Sequence, residues 1–238
     1  MGSFHDLLSV QEHDSAIDRL RAQREKLPER QQIQERQAQI ADLTAQVEVL
    51  SASREEAARD EKRLDDTVTA IRERMAEVEA NMYSGSITNP RELQAMQAEV
   101  EQFQRQLRGL EDQELDVMER REELDGDISG LESTLGSVRE DLSRLESALA
   151  EQEADLDAQI ATEQQARNAL VPGIPSDLVE LYEQVRSKNR GVGAARLVGG
   201  SCMACHLALP AVEVDRIKKL PADEMARCEQ CGAILVRD

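Results

Sequence analysis

Cys202, Cys205, Cys228 and Cys231 are the four cysteines of this 238-residue chain, and they form two Cys-x-x-Cys pairs separated by 22 residues. Two chelating turns of this kind bring four thiolates around one ion. Tetrahedral Zn2+ suits such a set, with Zn–S bonds of about 2.3 Å. Four protein ligands leave no open position for water or substrate, so the chemistry is structural rather than catalytic. Gly232 directly follows Cys231 and permits the tight turn in which backbone N–H groups reach sulfur. Iron held by the same thiolates, or a disulfide pair, is the alternative. A thioredoxin-like redox pair would need a βαβ scaffold, and none is readable here. His206, next to Cys205, reads as an exposed side chain rather than a substitute ligand. His5 and His13 read as surface residues of an N-terminal helix. The chain's start lacks the basic and apolar regions of a signal peptide and the myristoylation pattern, so the thiols are expected to be reduced, in a cytoplasm. No stretch approaches the ~20 apolar residues that span a bilayer, so no membrane partner is expected.

The elements that must position these thiols are short. Residues 194–198, 225–227 and 234–237 read as strands, and 210–220 as a helical insertion. The predicted ribbon, residues 194–238, is too small to bury enough apolar area alone, so metal binding must supply its stability. Residues 172–193 read as a short helix, capped by Ser176 and running to Asn189, followed by a flexible linker containing Gly191 and Gly193. Basic residues collect here. Arg186, Lys188, Arg190 and Arg196 form a neck without acidic residues, and Arg216, Lys218, Lys219 and Arg227 follow. Such charges can meet phosphates. Against nucleic acid, residues 186–238 contain no aromatic side chain for base stacking, and a four-thiolate zinc centre adds about −2 of its own.

Everything before the neck has a different composition. The chain has no Trp, two Phe and two Tyr, and 32% of its residues are charged, which suits long helices better than a globular core. Its net charge of −19 is concentrated in residues 1–185, which carry −22, whereas residues 186–238 carry +3. An acidic body repels nucleic acid and anionic membranes, so such contacts would have to use the C-terminal end.

Apolar residues recur at Val10, Ile17, Leu20 and Leu27, until Pro28 breaks or kinks the helix. A second phase runs from Ile33 through Ile40, Leu43, Val47, Leu50, Ala57, Leu64, Val68, Ile71, Met75 and Val78 to Met82. A third runs from Leu93 to Leu156. Steps alternating between four and three mark coiled-coil a and d positions. Between them lies Tyr83-Ser-Gly-Ser-Ile-Thr-Asn-Pro90, where Gly85 can end one helix and Asn89, Pro90 and Glu92 can start the next. Residues 1–171 therefore read as a long antiparallel coiled-coil hairpin with a kink near Pro28 and a turn at 83–89, its arms roughly 110–120 Å long. Arg54, Glu61, Glu114 and Arg121 interrupt the seam at matched distances from the turn, which predicts a register-fixing Arg/Glu cluster. Gly126, Gly130 and Gly136 suggest a flexible zone or bend in the second arm.

Three pieces of sequence taken together resemble a bacterial family. They are Leu7-Leu-Ser-Val-Gln-Glu-His-Asp-Ser-Ala-Ile-Asp-Arg-Leu20, the turn Tyr83-Ser-Gly-Ser-Ile-Thr-Asn-Pro-Arg-Glu-Leu-Gln94, and Cys202-Met-Ala-Cys205 with Cys228-Glu-Gln-Cys-Gly232. In that family a C4-type zinc ribbon follows a coiled-coil hairpin. The resemblance implies a mainly α fold, one structural zinc on the four cysteines, and no enzymatic activity. It includes a flagellar-biogenesis chaperone that contacts a sigma factor and a flagellin messenger RNA, and other members described as nucleic-acid-binding. Nothing in this sequence indicates flagella. The expectation is an adaptor that grips a protein partner through its C-terminal head, with the coiled coil as spacer or docking surface. RNA or DNA binding through the ribbon and basic neck is the alternative. The oligomeric state is left open, because the seam can be satisfied within one chain.

Overall fold

The computed structural model describes residues 2–221 and 224–237. Two compact units result. One is Ile33–Arg144; the other combines the chain before it with the chain after it. The sequence alone groups the first helix with the hairpin, whereas in the structure it packs with the C-terminal head.

Three long helices dominate: α1 (Gly2–Glu25), α2 (Pro28–Tyr83) and α3 (Pro90–Leu170). Pro28 and Pro90 each occupy a first helical position, where the missing N–H has no intrahelical partner to lose. Asn89 starts α3, its Oδ1 accepting the Arg91 N–H at 3.1 Å. Gly85 takes a φ of +74° after α2. The helix α3 continues unbroken through Gly126, Gly130 and Gly136, so the bend suggested by these glycines is not a break in the helix.

Within the 33–144 unit the buried side chains are those of the predicted seam. Leu43, Leu135 and Val138 pack together with Ile40 and Leu131 beside them, and Ala57, Val68, Val100 and Leu107 are also buried. The expected charge cluster forms only in part. Arg121 pairs with Glu61 in a half-buried contact, while Arg54 turns to Asp125 at 3.0 Å on the surface. Both partners lie about one to two helical turns beyond the positions that equal spacing from the turn suggests. The apolar seam is offset the same way, with Leu43 packed against Leu135 and Val138, so the arms are staggered relative to equal spacing from the turn, and the N-terminal lean of the side chains adds to the offset.

The head is built on a four-stranded sheet ordered β2-β1-β4-β3, comprising β1 (Ala194–Val198), β2 (Ser201–Cys202), β3 (Ala226–Arg227) and β4 (Ile234–Val236). Strands β1 and β4 run parallel, with Ala194 opposite Ile234; β2 and β3 flank them antiparallel. Alternation along β4 sends Ile234 and Val236 to one face and Leu235 to the other. The first face is covered by Leu7, Leu8 and Val10 of α1, with Tyr182 of α4 (Ser176–Lys188) and Ile174. The second is covered by Ile217 of α5 (Ala211–Lys219), with Leu209 and the cysteines.

The expected linker is held in place. Gln11 of α1 donates to the Gly191 carbonyl at 2.9 Å, and its Oε1 accepts the N–H groups of Gly193 at 2.6 Å and Ala194 at 3.2 Å. A Cβ on Gly193 would lie 2.7 Å from the Tyr182 carbonyl oxygen, so glycine serves close approach here rather than flexibility.

Candidate functional site: the four-cysteine centre and its surroundings

Two loops of one design present the thiols. In the first, His206 N–H donates to the Cys202 carbonyl at 2.8 Å and Cys202 N–H donates to the Leu207 carbonyl at 3.0 Å. In the second, Gly232 N–H donates to the Cys228 carbonyl at 2.8 Å and Cys228 N–H to the Ala233 carbonyl at 2.9 Å. The residue after the second cysteine is left-handed in both, with φ of +59° at His206 and +76° at Gly232. That equivalence explains His206: it occupies the position filled by glycine in the other loop, with its side chain exposed.

All four sulfurs lie within 4.8 Å of one another. Cys202 Sγ to Cys231 Sγ is 3.8 Å and Cys205 Sγ to Cys228 Sγ is 3.9 Å. A tetrahedron with Zn–S bonds of about 2.3 Å has edges of about 3.8 Å, so the donor set fits the ion. The thiols are free rather than disulfide-bonded. Burial pushes the Cys231 thiol up to about 12 and raises that of Cys202, whereas the Leu207 N–H draws the Cys205 thiol below its usual value. Without a cation, burial thus works against two of the thiolates. A bound divalent ion reverses that balance and couples its own binding to folding.

Behind the sheet lies a polar cluster that sequence reasoning missed. Asp14 of α1 accepts from Tyr182 Oη at 2.7 Å and from Arg167 Nε at 2.8 Å. Arg186 approaches the same carboxylate at 3.7 Å and also pairs with Asp18. His13, expected to be an ordinary surface residue, lies 2.6 Å from Glu163 through Nδ1. Burial, then the Asp14 hydrogen bond, hold the Tyr182 hydroxyl far above its usual pKa. The signal was present in principle. Gln11 and Asp14 share the helical face of Leu7, Val10 and Ile17, where a core-facing stripe would ordinarily be apolar.

The predicted contact residues separate into distinct settings. Arg186 is engaged by Asp14 and Asp18, and Arg216 binds Glu213 through both Nε and Nη2. Lys188 and Arg227 line one cleft. Arg190 is exposed after α4 with a φ of +51°. Arg196 is exposed on β1, and Lys218 and Lys219 are exposed in the last turn of α5.

The fold and site together define a class: a helical coiled-coil hairpin joined to a ribbon that four cysteines organise around one metal ion. Residues 10–190 match the CT398-like coiled coil hairpin domain, and residues 201–235 match the C4-type zinc ribbon domain. The chain belongs to the CT398-like coiled-coil hairpin family, and its cysteines form the site for one zinc ion. An uncharacterised Mycobacterium tuberculosis protein, Rv2229c, is 30% identical over 231 residues, 97% of this chain and 94% of its own length. A Mycobacterium smegmatis structure superposes with a TM-score of 0.86 at 28% identity, covering 100% of both chains. The structure of CT398 from Chlamydia trachomatis shares the fold, with a TM-score of 0.72 at 20% identity over 99% of this chain and 97% of that one. The two matched domain families are a coiled coil and a metal ribbon, neither of them an enzyme family. Among the described residues no helix is long and apolar enough to cross a membrane.

Proposed function

We propose that this protein is a non-enzymatic adaptor that binds a protein partner through its zinc-organised head, with the hairpin as spacer or docking surface. One observation carries the reading. Val198, Met203, Leu207 and Val212 are exposed on the head, Val212 at 83%. Three of them sit on one connected stretch of backbone. Val198 pairs with Ser201 across the β1–β2 turn, Met203 N–H donates to Arg196, and Leu207 accepts from Cys202. The first cysteine loop closes within that stretch, so a bound ion would fix it in place, and exposed apolar side chains on a fixed support suit a protein partner. Engagement of Arg186 and Arg216 by carboxylates favours protein over nucleic acid as the ligand.

The test is photo-crosslinking in the native cell from a benzoylphenylalanine placed at Leu207, compared with the same group at Ser133 on α3. The expected outcome is a discrete protein adduct, insensitive to nucleases and lost in a Val198→Asp/Met203→Asp variant that keeps its zinc. Equal adducts from the two positions, or an adduct removed by nuclease, would overturn the reading.

A further inference from the structure

The second cysteine loop and the last turns of α4 enclose a cleft of about 350 Å3, within the size range of ligand pockets. Leu181 and Val185 form an apolar wall, Gln184 offers an amide, and Lys188 and Arg227 bring two cations to the same space although they lie far apart in sequence. Arg227 Nε donates to the Gly232 carbonyl at 3.2 Å, which orients the guanidinium. Neither cation pairs with a carboxylate among the described residues, and none of the lining residues is acidic. Glu213, Glu224 and Glu229 act on Arg216. In a chain with 48 acidic and 29 basic residues, two cations sharing a cleft whose lining holds no acidic residue are conspicuous.

We propose that this cleft binds an acidic peptide segment of a protein partner, with an aliphatic side chain against Leu181 and Val185 and an adjacent carboxylate received by Arg227 and Lys188. The inference rests on the adaptor reading above and adds the partner's chemistry. A guanidinium receives a carboxylate through paired N–H groups, and the apolar wall suits an aliphatic neighbour. A nucleic-acid strand would want a row of cations and a stacking surface, and residues 186–238 contain no aromatic side chain. Cys231 also borders the cleft, so the charge of a zinc-bound thiolate acts there. The Ala233 N–H donated to that sulfur takes up part of it.

The experiment is an amide NMR titration of the zinc-loaded full chain with three probes: acetyl-Gly-Leu-Glu-Gly-amide, the same peptide with Gln in place of Glu, and an oligouridylate. With the Glu peptide, saturable shifts confined to residues 181–188 and 227–233 are expected. Affinity should fall at least five-fold for the Gln peptide, and equally for a Lys188→Ala/Arg227→Ala variant. Equal binding of the two peptides, absence of saturable shifts, or tighter binding of the oligouridylate overturns the proposal. So does a double variant that loses zinc yet binds the Glu peptide unchanged, because the cations would then serve the metal. A partner captured at Leu207 without peptide binding overturns this inference alone. Peptide binding without such capture overturns only the reading of the apolar face.

Discussion

The 33–144 hairpin and the unit formed by its flanking segments are stabilised by opposite means. In the hairpin the seam is narrow and repetitive, and its cross-arm ion pairs lie mostly at the surface; Arg54 and Asp125 are 44% and 48% exposed. In the head a few polar groups are buried at fixed points; Arg167 and Asp14 are 15% and 6% exposed, and a metal site organises one face of the sheet. Repetition spreads stability over many small layers, none indispensable. Concentration makes single residues indispensable, because each buried carboxylate or thiolate satisfies several partners. This contrast predicts how each unit responds to damage.

The largest effect should come from Cys228→Ser or from chelation. The apparent binding energy of structural zinc in small domains is about 10–16 kcal/mol, so the sheet should unfold, with zinc content falling to zero. Far-UV helicity should fall only modestly, because α2 and α3 do not depend on the ion. A collapse of the helical signal would erase the distinction between the units.

Asp14→Ala comes next. It leaves Arg167, Arg186 and Tyr182 without their shared acceptor, and breaking a buried pair costs about 3–5 kcal/mol. Denaturation monitored at head amides should show it, with the hairpin transition unmoved. The same cluster sets an alkaline limit. The pKa of Tyr182 is raised on folding, so its contribution is complete below the ordinary tyrosine value of about 10 and declines above it, as the unfolded state ionises first. Tyr182→Phe should remove that decline, as measured by head stability against pH.

Leu43→Ala should cost the hairpin about 2–5 kcal/mol, the usual range for a buried leucine, and leave zinc content unchanged. The smallest effects belong to the cross-arm pairs. Arg54→Ala should change hairpin stability by about 0–1 kcal/mol, and Glu61→Ala slightly more because its pair with Arg121 is better buried. A large loss at Arg54 would show that the hairpin too depends on single points.

Local signals made much of this legible in the sequence. Heptad spacing marked the seam residues that are buried, the Gly85–Pro90 stretch marked the turn, and cysteine spacing marked the metal site. What escaped was carried by distant partners. Gln11 meets Gly191, and Asp14 meets Arg167 and Tyr182, over more than 150 positions. No periodicity announces such pairings, and Gly193 consequently read as linker when Tyr182 in fact requires the absence of its side chain. The pairing of Arg186 with Asp18 was hidden for the same reason, so a neck that looked freely basic is partly neutralised.

Leu7, Leu8 and Val10 share a core with Ile234 and Val236, and that has a consequence for synthesis. On a ribosome adding about 5–20 residues per second, the first helix emerges long before α4 and the sheet exist, and its apolar face is not fully covered until the last strand is made. The intervening helices can pair in the meantime, which replaces a floppy loop of some two hundred residues with an ordered one and lowers the entropy cost of bringing the partners together. A translational stall after α3 would therefore leave a finished hairpin and a first helix whose Leu7, Leu8 and Val10 lack the sheet that covers them, the natural target for a chaperone or protease.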